Sequence, residues 1–229
     1  YMSQFSYIGP FDNDQGKGFA AVFPPEQKVA LGESYKGKIL DVTWRKLARL
    51  NEDHTLVVDD VVSPAEHAVV YLTTFVRSTD AREVFLHVRC GAALKVWVDD
   101  ALVFSEEKLS AGRGDNVIVG VRLAAGWNKL LFKIAERTSV TFAARLSDAA
   151  GAPVTLEASA DPQPYTALQA PPLVATPFGL AGAIEGLASP GRKAFWHTRE
   201  LYRSGKLLQV VPAHEALSAK MPGHPLAAY

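Results

Sequence analysis

The chain has 229 residues, 48% hydrophobic and 21% charged, enough apolar side chain for a sizeable core and too much for a disordered tail. Its 24 basic residues balance 24 acidic ones, so no global field draws it to nucleic acid or to an anionic membrane. No apolar run approaches the roughly 18 residues of a membrane span, and a single cysteine, Cys90, excludes an internal disulfide and a cysteine-based zinc site.

The chain begins at Tyr1 without the basic start and apolar core of a signal peptide, and reads as a piece of a longer protein. From Ser3 to about Ser159 the apolar pattern has period two, with turn residues between short runs. Strands are predicted at Lys38–Arg45, Thr55–Val62 and Ala68–Arg77. Next, Val84, Leu86, Val88 and Cys90 alternate with Glu83, Phe85, His87 and Arg89, and then Leu94, Val96 and Val98 with Lys95, Trp97 and Asp99. The first-named set of each is expected to be buried, which makes Cys90 an inert, inward-facing thiol. Ala101–Ser105, Asn116–Leu123, Asn128–Glu136, Ser139–Ser147 and Val154–Ala158 complete the set.

Asp99-Asp100, Ala124-Ala125-Gly126 and Asp148–Pro153 are read as hairpin turns between adjacent antiparallel strands. Roughly nine or ten strands with no helices between them predict a mainly β fold of two packed antiparallel sheets over residues 1–158.

Composition then changes. Pro162, Pro164, Pro171, Pro172 and Pro177 predict an extended linker over residues 159–176. Residues 177–229 turn to helical periodicity: Phe178–Leu187, a second helix starting at Ser189-Pro190 and stopping at Gly205, and a third over Ala213–Lys220. In the second, Ala194, Phe195, Thr198, Leu201 and Tyr202 share one face.

Several blocks carry a resemblance: Tyr7-Ile8-Gly9-Pro10-Phe11-Asp12-Asn13, Gly18-Phe19, Phe23-Pro24-Pro25-Glu26, Val42-Thr43-Trp44-Arg45, Leu94-Lys95-Val96-Trp97-Val98-Asp99 and Gly126-Trp127-Asn128-Lys129-Leu130-Leu131-Phe132-Lys133. Together they resemble the galactose-binding-like sandwich domains of bacterial multidomain proteins. The resemblance implies a jelly-roll β-sandwich over residues 5–158 without catalytic activity, and a periplasmic or extracellular setting. It also implies that a tetratricopeptide-like repeat follows, with Met221–Tyr229 as the junction to the next repeat and further domains of the same parent chain as neighbours. One departure matters. Related modules often have an Asp-Asp-Gly turn that can serve calcium, whereas here the turn reads Cys90-Gly91-Ala92-Ala93 and offers no side-chain oxygen. Asp99 and Asp100 fall in the next hairpin, where aspartate commonly serves the turn itself.

Other motifs are weak. The loop Asp12–Gly18 has glycine at the fifth position of an EF-hand and Phe23 at the twelfth, which excludes that site. Arg113-Gly114-Asp115 spells an integrin-binding tripeptide, but three residues match by chance easily and the loop Ser110–Asp115 is well explained as a strand connection. The six histidines do not cluster, and no nucleophile elbow, phosphate loop or dinucleotide fingerprint occurs, so no cofactor or metal is expected.

The function expected is that of a non-catalytic accessory module binding carbohydrate or another polymer; the alternative is a scaffold or protein-interaction module supporting a helical-repeat array. Trp97 is the tryptophan best placed for exposure, since Val96 and Val98 point to the opposite face; Lys95 and Asp99 share its phase and would add polar contacts to a sugar. The competing reading is that aromatic residues on strands pack sheets.

Overall fold

The structure, a computed structural model, describes residues 1–107, 109, 115–136, 139–176, 189–203 and 207–220. It comprises two compact units, Tyr1–Val174 and Ala175–Tyr229.

The first unit is the predicted antiparallel jelly-roll sandwich. One sheet runs, in spatial order, β4 (Arg45–Lys46), β1 (Ser6–Asp12), β6 (Ala68–Ser78), β11 (Gly126–Glu136), β8 (Ala93–Val98) and β9 (Ala101–Glu106), with β14 (Glu157–Ser159) also on β6. The facing sheet runs β13 (Pro153–Val154), β12 (Thr141–Ser147), β7 (Arg82–Cys90), β10 (Val117–Leu123) and β15 (Leu173–Val174), with β5 (Leu56–Val57) on β12. A small hairpin, β2 (Ser34–Lys36) with β3 (Asp41–Thr43), stands apart, and a single helical turn, α1 (Pro24–Gln27), lies before it.

The alternation in the sequence is the alternation of the pleat. Val84, Leu86, Val88 and Cys90 from one sheet meet Leu94, Val96, Val98, Leu130, Phe132 and Ile134 from the other, all fully buried. At the centre, Phe5, Phe132 and Phe142 meet edge to face, with ring centroids 6.3, 5.8 and 5.1 Å apart, so that the N-terminal segment and both sheets share one contact. Cys90 is buried as expected, and burial pushes its thiol up to about 12.

Turn chemistry alone misassigned one connection. Asp99-Asp100 and Asp148–Pro153 do close hairpins, β8–β9 and β12–β13. Ala124-Ala125-Gly126 instead carries the chain from β10 in one sheet to β11 in the other. Gly126 takes φ +98°, and the Asn128 side chain closes the bend by accepting from Ala124 N–H at 2.8 Å and donating to the carbonyls of Ala124 and Gly126. A tight bend serves a sheet-crossing arch as well as a hairpin, and only the partner strands decide which. The strand expected over Thr55–Val62 also shortens to β5, because Val58–Asp60 turns into a 3-10 helix.

The proline-rich segment is bound along the sandwich rather than spanning a gap. Beyond β14, Leu168 N–H donates to Asp99 O at 2.7 Å, Arg122 N–H donates to Pro172 O at 2.8 Å, and β15 pairs with β10. Proline lacks an N–H but keeps its carbonyl, so a proline-rich segment can serve a sheet edge as acceptor.

In the second unit, α2 (Pro190–Arg203) and α3 (Leu207–Lys220) pack on each other. α2 starts as expected: Ser189 Oγ accepts the Arg192 N–H at 3.4 Å and Pro190 occupies the first helical position. α3 begins six residues earlier than predicted and holds Pro212 inside it. A pair of helices is not an array, and the tetratricopeptide-like repeat implied by the resemblance finds no support; the helix expected at Phe178–Leu187, the stop at Gly205 and the junction Met221–Tyr229 lie outside the described residues. No described helix is long and apolar enough to cross a membrane.

Removing the shared aromatic contact tests this core. Phe132→Ala is expected to lower stability by about 3–5 kcal/mol in urea unfolding. Leu102→Ala, at a side chain 41% exposed, should stay within about 0.5 kcal/mol.

Candidate functional site

β6 and β11 are buried on both faces along most of their length, so the first sheet needs a cover on its outer side. Residues between β1 and β4 supply it. Val42 and Trp44 join Phe11 of β1 and Val69, Tyr71, Trp97 and Leu131 in a second core, with Phe19 and Phe23 packed against it. Trp97 is therefore 8% exposed, not the open platform expected from its alternation. The alternation correctly gave its face; the cover over that face comes from far away in sequence.

Lys95 shares that outer face and is half-buried, its ammonium 4.8 Å from the centroid of the Phe19 ring. Asp99 is 2% exposed in the β8–β9 turn at φ +48°, where its carboxylate accepts the Lys129 N–H at 2.6 Å. Burial pushes its pKa up to about 6, against the pull of the Lys129 backbone and charge. Asp100 accepts from the Lys129 ammonium and from the Tyr165 hydroxyl. The two aspartates thus serve the turn.

A cavity of about 320 Å³ opens at the other end of β8. Its wall includes Asn13 and Phe19 from the covering segment, the Gly91-Ala92 turn, Glu107 after β9, Glu136 at the end of β11, and Ser139. Lys95, Trp97 and Asp99 are not among its lining residues. Asn13 builds the junction: its Nδ2 donates to Glu136 O at 2.8 Å, its Oδ1 accepts the Gly18 N–H at 3.0 Å, and its own N–H donates to His67 O at 3.0 Å. Gly18 is required there because a Cβ would come within 2.4 Å of Asp12 O.

Glu136 is the chemically unusual member. It continues the inward phase of Leu130, Phe132 and Ile134, is 1% exposed, and among the described residues neither carboxyl oxygen has a hydrogen-bond partner. Loss of water pushes its pKa up to about 8, and the charge of Asp59 adds to the shift. The sequence did carry a signal here, an acid in an otherwise apolar inward phase.

A second cluster lies on the outer face of the other sheet. His87 Nε2 is 2.8 Å from Ser147 Oγ, and His87 Nδ1 is 3.6 Å from Asp115 Oδ2, an order of groups like that of a hydrolase triad. Ser147 is 0% exposed, and the Arg145 guanidinium holds Asp115 at 2.7 Å and also contacts Nδ1 at 3.1 Å. A hydroxyl without access to solvent cannot attack an external substrate. Asp115 is thereby ion-paired and 12% exposed in its side chain, so the tripeptide aspartate is engaged; Arg113 and Gly114 lie outside the described residues. Among the described residues, no group of three or more His, Cys, Asp or Glu is placed to hold a metal ion.

No protein-family model matches the chain, and no curated protein is similar to it in sequence. Among solved structures, it is similar to a β-glucosidase from Kluyveromyces marxianus at 9% identity, over 63% of this chain and 16% of that one, with a TM-score of 0.40. An anti-sigma factor domain-containing protein from Clostridium clariflavum matches at 16% identity, over 71% and 48% of the two chains, with a TM-score of 0.35. A β-(1,4)-mannanase from Podospora anserina matches at 17% identity over 65% and 32%, with a TM-score of 0.24. Each match spans less than half of the other protein, and at these values none assigns a family or an activity.

Two outcomes are expected from the buried groups. Trp97→Ala should lower stability by about 3–5 kcal/mol, read from the melting transition, as for any large core aromatic. For Glu136, an unfolded glutamate ionises near 4.5 whereas the folded one holds its proton up to about pH 8. Its contribution is therefore present in full below about pH 4.5 and lost as the pH rises through about 8. Glu136→Gln should flatten that fall and leave the protein more stable at pH 8, by on the order of a few kcal/mol. Urea titrations across this window measure it, and identical pH slopes in both proteins would refute the assignment.

Proposed function

We propose that the sandwich is a non-catalytic accessory module that binds the end or a single unit of a saccharide in the cavity beside β8. The observation carrying this reading is the composition of the cavity wall. The Phe19 ring offers an apolar face, and Asn13, Glu107, Glu136 and Ser139 surround it with polar groups. Sugar rings have apolar faces and hydroxyl rims, and such a mixture matches both. The volume of about 320 Å³ falls in the range of small-ligand sites, about 300–1,000 Å³.

The non-catalytic part is supported by the burial of the Ser147 hydroxyl in the Ser147, His87 and Asp115 cluster. Lys95, Trp97 and Asp99 take supporting parts in this proposal. Lys95 steadies the Phe19 ring, Trp97 buttresses the covering segment, and Asp99 fixes the turn at the far end of the same strand.

A scaffold role is the second reading. It is favoured by the tip of the β2–β3 hairpin, where Ile39 and Leu40 are 66% and 75% exposed side by side.

A glycan array followed by calorimetry with the best hit tests the choice. Glu107→Ala, at an exposed rim position, should weaken binding about tenfold with an unchanged melting temperature, whereas Ile39→Ser with Leu40→Ser should leave sugar binding intact. Absence of any glycan hit would turn the assignment toward the hairpin tip.

A further inference from the structure

We propose that the ligand of this cavity is an amino sugar, whose primary ammonium is held by Glu107 at the rim with Glu136 as a buried counter-charge in the wall. The proposal rests on the saccharide reading above and narrows it.

The charge of the wall points this way. Among the described lining residues, only Glu107 and Glu136 are ionisable, and both are acids. Asp59, in the turn after β5, adds negative potential at Glu136, and the Cys90 thiol at the end of β7 feels the Glu136 charge in turn. Among the described residues, Lys95 brings a positive group near the cavity wall, and its ammonium already lies against the Phe19 ring. The described part of the wall thus holds more acid than base.

Glu136 also lacks what a buried carboxylate needs. Among the described residues both its oxygens are without a partner, and the neighbouring Asn13 side chain donates to the Glu136 backbone carbonyl rather than to its carboxyl group. An isolated buried carboxylate costs several kcal/mol unless it finds a cation or keeps its proton. With no cation beside it, the carboxyl keeps its proton below about pH 8. A ligand ammonium nearby makes the ionised form favourable: the Glu136 O–H bond breaks, the proton passes to solvent, and the carboxylate is left facing a positive charge across a poorly screened distance. A neutral hydroxyl would supply no such charge. Glu107, exposed at the rim, makes the direct contact, which the enclosed Glu136 need not make.

Calorimetric titration of the full chain near pH 7 with glucosamine, glucose, N-acetylglucosamine and free lysine tests this, with each titration in two buffers of different ionisation enthalpy. The expected result is glucosamine binding at least tenfold tighter than glucose or N-acetylglucosamine, with release of up to one proton. Glu136→Gln should abolish both the proton release and the preference, and Glu107→Gln should weaken glucosamine about tenfold while leaving proton release in place. Circular dichroism confirms folding, and the exposed Glu107 variant stands in if the buried one fails to fold. Equal binding of the three sugars without proton release overturns the ammonium assignment and leaves the saccharide reading standing. Lysine binding as tightly as glucosamine, or no sugar binding at all, overturns both.

Discussion

The first sheet is buried on both faces along β6 and β11, and most of the molecule follows from that constraint. Inward, Val70, Leu72, Leu130 and Phe132 complete the sandwich. Outward, Val69, Tyr71, Leu131 and Trp97 would lie in water if nothing covered them. Burying them contributes about 1.5–3 kcal/mol for each large side chain, which offsets the entropy of ordering a long irregular covering segment. Asn13 and Phe19 of that cover and Glu136 at the end of β11 border the cavity.

The cover also resolves a problem raised by the lysines on β11. Lys133 is 0% exposed, and its ammonium meets Glu26 at 2.7 Å and lies 5.3 and 5.7 Å from the rings of Phe23 and Tyr71. Burial pulls its pKa down and the Glu26 carboxylate pulls it up. Tyr71 donates to the same carboxylate at 2.5 Å, and burial drives its own ionisation well above the usual range. Such a pair adds little net stability over an apolar pair of the same shape, but losing one partner strands the other charge. It fixes α1 in register over the sheet. Lys129 repeats the arrangement at the far end with Asp100 and Tyr165, which tie the proline-rich segment down.

Set beside these satisfied groups, Glu136 differs in kind. The buried lysines have their counter-ions within the fold, whereas this carboxyl has none. Among the described residues, Glu136 is thus a buried acid in a cavity wall whose carboxyl oxygens lack a hydrogen-bond partner.

Much of the architecture was legible in the sequence. Period-two runs at Val84–Cys90 and Leu94–Val98 gave the strands, their inward faces and the burial of Cys90, because side-chain alternation is a local property of the pleat. The helix start at Ser189-Pro190 was legible for the same reason, since capping needs only neighbours in sequence. What the tertiary structure decided was every question of distant partnership. It decided that the bend at Ala124–Gly126 crosses between sheets, that Trp97 lies beneath a cover drawn from residues between β1 and β4, that the proline-rich segment lies along a sheet edge, and that Asn13, Glu107 and Glu136 share one cavity. Alternation tells which face a residue takes, but exposure depends on what else reaches that face, and those contacts are made between residues far apart in the chain.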